Sequence, residues 1–129
     1  MARDAVDDLG KALGSRHPEV ARALIALAAI YRAGGKYDQA IPLCERAITI
    51  DSALFKSDHP GVARDLRELG DNYAGQKRYA DAEPLYQRAL AMQLKVLPSG
   101  HPDSGKTQAS YADLLSAVGR NEEAEKLRR

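Results

Sequence analysis

A chain of 129 residues makes one domain, long enough to bury a core. Hydrophobic residues at 44% and charged ones at 29% exclude a disordered chain, and a formal charge of +1 gives no field that would draw it to nucleic acid or an anionic membrane. With no Trp and one Phe there is little surface for stacking bases, and one cysteine, Cys44, excludes an intramolecular disulfide and a cysteine-based zinc site.

Residues 1–16 come first. Met1–Gly10 carries three acidic groups and no apolar core of a signal peptide, so a cytoplasmic setting is expected. No run reaches the roughly 18 apolar residues of a membrane helix. Ala5, Leu9 and Ala12 fall at helical spacing, which reads as the end of a preceding helix followed by a linker.

The next segment, 17–58, opens on His17-Pro18. Leu24, Leu27, Ala28 and Tyr31 form a single helical stripe that Gly34-Gly35 terminates. Tyr37, Ala40, Ile41, Cys44, Ala47 and Ile48 form a second stripe, with Pro42 early enough to disturb at most one hydrogen bond. The whole unit then recurs 42 residues later, from His59-Pro60 over 59–100. The two copies align without gaps, matching Leu24/Leu66, Leu27/Leu69, Tyr31/Tyr73, Tyr37/Tyr79, Ala40/Ala82, Pro42/Pro84, Arg46/Arg88 and Ala47/Ala89. A third, divergent copy opens on His101-Pro102 and is shortened to 101–129; Gln108 stands there for the expected Leu and Leu115 for the expected Tyr. Small residues recur at Ala28, Gly70 and Ala112, and at Ala40, Ala82 and Ala124, where paired helices must approach closely. Neither end carries a full polar capping helix, so the chain is expected to be a fragment or to pack its ends on a partner.

Leu27-Ala28 with Tyr31, Leu69-Gly70 with Tyr73, and the alanine pairs of the second helices resemble the tetratricopeptide repeat. The period of 42 and the phrases "GKYDQAIPLCERAI" and "KRYADAEPLYQRAL" are similar to the kinesin-light-chain subtype. The resemblance implies an all-α, right-handed superhelical solenoid of antiparallel helix hairpins, about two and a half repeats in a single domain over residues 1–129. It also implies a non-enzymatic role, with no cofactor, in which the first helices line a concave groove. The family's register places Arg22, Ile25, Ala29 and Arg32 on that groove, then Arg64, Arg67, Asp71 and Ala74, then Lys106, Ala109, Asp113 and Ser116. Two better-known binding modes are not implied. The Asn pair of kinesin light chains is replaced by Ile25-Ala26, Arg67-Glu68 and Ala109-Ser110, and Ala29 stands at an Asn position of the chaperone clamp.

Five basic groups against two acidic ones on this register predict a protein or peptide partner of acidic character, read by a ladder of Arg22, Arg64 and Lys106. The alternative is a subunit that docks or self-associates through its terminal helices, as a homo-oligomer or within a larger assembly. Nucleic acid and membrane are not expected partners.

Residues 100–107, "GHPDSGKT", fit the phosphate-binding pattern G-x-x-x-x-G-K-[ST]. They align, however, with residues 16–23 and 58–65 at the starts of first helices, and a P-loop needs a strand before it and a parallel sheet around it. The match is therefore expected to bind no nucleotide. The three His-Pro histidines read as turn residues and no metal site, because stacked helices lie about 8–10 Å apart. Cys44 and its counterpart Tyr86 read as core.

Overall fold

The computed structural model describes residues 17–129; the expected preceding helix and linker at 1–16 lie outside the described residues. Six helices follow in order: α1 Pro18–Ala33, α2 Tyr37–Leu54, α3 Pro60–Gly75, α4 Tyr79–Val96, α5 Pro102–Ala117 and α6 Asn121–Arg128. They pair as hairpins, α1 with α2, α3 with α4 and α5 with α6, and successive hairpins stack into the solenoid.

The His-Pro dipeptide explains where each first helix begins. Histidine takes the N-cap, and its Nδ1 accepts a backbone N–H two residues on: Glu19 at 3.0 Å, Gly61 at 2.9 Å and Asp103 at 3.1 Å. Proline follows at the first helical position, where it has no N–H to leave unsatisfied.

Each first helix ends in the same hydrogen-bonded turn. Lys36, Arg78 and Arg120 donate their backbone N–H to Tyr31, Tyr73 and Leu115, each at 2.8 Å. The residue before each donor is left-handed: Gly35 at φ 75°, Gly119 at φ 85° and, in the middle repeat, Lys77 at φ 62°. A side chain in that region costs about 1 kcal/mol. Lys77→Gly is therefore expected to stabilise the protein by about 1 kcal/mol, seen as a raised urea midpoint at unchanged slope.

Packing follows from complementary sizes. In the first hairpin Ala28 and Cys44 are both fully buried in a cluster with Leu24, Ala40 and Ala47. In the second the same two places hold Gly70 and Tyr86, and a Cβ at Gly70 would lie 2.8 Å from Tyr86 Cε1. The glycine exists because the tyrosine does. In the third hairpin Leu115 is buried at the expected Tyr position, beside Tyr111, Ala112, Leu114 and Ala124. Among the described residues, helices touch only their neighbours in the chain, except that first helices also touch each other, α1 with α3 and α3 with α5.

Candidate protein-binding face

The first helices lie side by side, and a network of ion pairs runs across the face they share. Arg32 of α1 reaches Glu68 of α3 at 3.2 Å. Arg67 lies 3.3 Å from Glu68 and 3.2 Å from Asp71, and Tyr86 Oη donates to Asp71 at 2.6 Å. Arg64 donates to Asp65 Oδ1 at 2.9 Å and lies 3.4 Å from Asp51 of α2. Arg22 pairs with Glu19 on its own first turn. Of the five basic groups, only Lys106 forms no ion pair among the described residues.

This alters the charge count. The carboxylates that hold Arg32, Arg64 and Arg67 include Asp51, Asp65 and Glu68, each buried and each off the groove register. In the row begun by Arg22 the two ends are exposed, Arg22 paired with Glu19 and Lys106 unpaired among the described residues, while the middle rung, Arg64, is committed to buried carboxylates. Ile25 also departs from expectation. It is 7% exposed and belongs to an apolar cluster that includes Leu69 of α3, because α1 and α3 are in contact. Ala29 is half-buried, while Ala109 and Asp113 are exposed. Asp113 carries an exposed pair with Arg128 at 3.1 Å.

The Asp51–Asp65 pair is the most unusual chemistry of this face. Burial, followed by the hydrogen bond with Asp51, pushes the Asp65 carboxyl up to about 8, against the pull of Arg64. This favours the neutral form of Asp65, whose Oδ1 accepts from Arg64 while its Oδ2 is buried without a partner. Forty-two residues on, the same places hold Gln93, Thr107 and Lys106, so the second junction has no counterpart of the carboxylate pair. Both side-chain polar atoms of Gln93 and the hydroxyl of Ser104 are buried there without partners.

Burial pushes the Cys44 thiol up to about 12, with Glu68 and Asp65 adding to the effect. Its sulfur accepts a 3.5 Å contact from Asn72 Nδ2, so this cysteine is core rather than nucleophile. Burial and the neighbouring Asp71 also raise Tyr86. At the far end of the face, burial opposes but does not cancel the effect of Arg120 and Tyr111, whose hydrogen bonds hold the Glu83 carboxyl below its ordinary value.

In "GHPDSGKT", Gly100 is a turn residue at φ 78°, His101 is an N-cap, and the helix begins at Pro102. Thr107 is fully buried, and its hydroxyl bonds the Asp103 carbonyl of its own helix at 3.3 Å. A P-loop hydroxyl would face a Mg²⁺ ion instead. The string is a helix start. No helix among the described residues is long and apolar enough to cross a membrane.

Comparisons with known proteins accord with this architecture. A family model described as "Tetratricopeptide repeat" matches residues 19–95 and 66–128. Among solved structures, a Podosopora anserina protein of kinesin-light-chain type with nearly identical TPR-like repeats is 29% identical at a TM-score of 0.73, over 98% of this chain and 60% of that one. BtubC (BKLC) from P. vanneervenii is 22% identical at a TM-score of 0.85, over 98% of this chain and 50% of that one. The TPR domain of Arabidopsis FLU is 16% identical at a TM-score of 0.68, with 83% and 87% coverage. The chain thus spans 60% and 50% of the first two proteins' lengths. A comparison with curated proteins finds no match.

Proposed function

Because the chain belongs to the tetratricopeptide repeat family, whose solenoids are in general non-enzymatic scaffolds for protein partners, we propose that it holds a segment of a partner protein along the concave face of α1, α3 and α5. What supports this most is the fixed polar network Arg32–Glu68–Arg67–Asp71–Tyr86 on that face. Side chains already locked by each other lose little freedom when a partner arrives, so the surface is preorganised.

Acidic groups on the partner are met by Arg22 and Lys106, the two exposed cations of the row. Arg64 and Arg67 shape the surface and have little charge to spare. The test is affinity capture of partners from the source organism, comparing wild type with Arg22→Glu/Lys106→Glu. A captured partner is expected to bind the double variant about tenfold more weakly at low salt, with the difference shrinking as salt rises. Equal binding by both proteins at every salt concentration would remove the acidic-partner reading.

A further inference from the structure

A cavity of about 280 Å³ opens between α3, α4 and α5, framed by Asp71, Tyr79, Tyr86, Ser110, Asp113 and Leu114. Two carboxylates and two tyrosine rings line it, and no basic side chain does. The repeat itself indicates what belongs there. Forty-two residues earlier, at the junction of the first two hairpins, the place of Ala74 is held by Arg32. The Arg32 guanidinium spans from α1 to Glu68 of α3, at the position that Ser110 takes in α5. Arg67 then holds Asp71, the counterpart of Asp113. Both arginines are lost at the second junction: Ala74 replaces Arg32 and Ala109 replaces Arg67. Two acids remain around a space that the protein fills elsewhere with its own guanidinium: Asp113, and Asp71, which Arg67 of its own helix still pairs at 3.2 Å.

We infer that this cavity receives an arginine side chain from the partner segment. The inference rests on the reading that the face of α1, α3 and α5 holds such a segment, and it adds a second recognition element of opposite sign. Asp71 is held by the Tyr86 hydroxyl on Oδ1 at 2.6 Å and by Arg67 on Oδ2 at 3.2 Å, so its carboxylate is oriented before the ligand arrives. Asp113 is 78% exposed and tied only to the half-exposed Arg128, a surface pair that an incoming cation exchanges at little cost. Ser110 supplies a hydroxyl acceptor, and Leu114 with the tyrosine rings takes the aliphatic stem. A planar guanidinium suits two separated carboxylates between aromatic walls better than a compact ammonium. Asp113 lies seven residues beyond Lys106 on α5, about 10 Å along the helix. An extended partner spans that distance in about three residues. The recognised pattern is therefore an acidic residue and an arginine separated by about two positions.

The test uses N-acetyl-arginine amide as the probe and follows backbone amide shifts by NMR during titration. Wild type is expected to show a saturable, millimolar response at Ala74, Ser110 and Asp113, weaker with N-acetyl-lysine amide. Ala74→Arg restores the tethered guanidinium of the first junction and should abolish the response. Asp113→Asn, a change at an exposed site, should weaken it about threefold. The Arg22→Glu/Lys106→Glu protein should keep it, since the probe carries no acid; this separates failure of the cavity from failure of the acidic-partner reading. No saturable response in wild type would overturn the inference, as would an undiminished one in Ala74→Arg.

Discussion

Arg64→Glu is expected to cost the fold about 3–5 kcal/mol, whereas Lys106→Glu, at the same repeat position 42 residues later, costs under about 0.5 kcal/mol. The difference lies in the neighbours. Among the described residues Arg64 is the only basic group paired with Asp51 and Asp65, which are 2% and 0% exposed. Replacing it with a carboxylate puts a third acid beside two buried ones and removes their counter-charge. Lys106 faces solvent, and its neighbours Gln93 and Thr107 are neutral. Against a typical stability of about 5–15 kcal/mol, the first change removes most of the margin. Urea denaturation of the two variants beside wild type decides it. Similar midpoints for both would mean that the Asp51–Asp65–Arg64 cluster is not the keystone of its junction. A consequence for binding studies is that reversing Arg64 confuses unfolding with lost recognition, while reversing Arg22 and Lys106 does not.

Asp65→Asn is expected to flatten the pH profile of stability. In the folded protein the Asp65 carboxyl is raised from 3.8 to about 8, first by burial and then by its bond with Asp51. Between about pH 4 and 8, then, the native state holds a proton that the unfolded chain has released. Stability from this group is complete below the unfolded value and is lost as pH rises through that window. The charged groups facing Asp65 are Asp51 from α2 and Arg64 from its own helix. An asparagine amide at this position is neutral at every pH, so the variant lacks that dependence. The variant should gain about 5 °C in Tm at pH 8 and nothing near pH 4. Glu83 works in the opposite sense: its lowered carboxyl contributes stability that is lost as pH falls. A wild-type profile that rises steadily from pH 5 to 8 would refute the raised Asp65 carboxyl.

The architecture was legible because a 42-residue period repeats its punctuation as well as its apolar stripes. His-Pro marked every first helix, and the Leu27 and Leu69 stripes marked the buried faces. Less legible was anything that depends on which helix a side chain meets. Asp51 lies thirteen residues before Arg64, with a turn between them, and nothing in their spacing shows that they meet. Glu68 looked like a residue beside the groove register, yet it anchors Arg32 from a neighbouring repeat. Ile25 fell on the groove stripe but turned inward where α1 meets α3. A signal was nevertheless present: Asp65 stands where the other copies have Ala23 and Thr107, and Asp51 where a later copy has Gln93. Departures from the repeat marked the charged junction. Lys77 was readable in the same way, since its counterparts are Gly35 and Gly119.

Contacts that never close back on themselves make this molecule a spring rather than a box. Its pitch is set separately at each junction between hairpins, with no distant contact to average the two. The first junction is tied by Arg64 to Asp51 and Asp65 and by Arg32 to Glu68; the second is tied by Glu83 to Arg120 and Tyr111. A partner that lies along the first helices therefore meets two joints, each free to set its own angle.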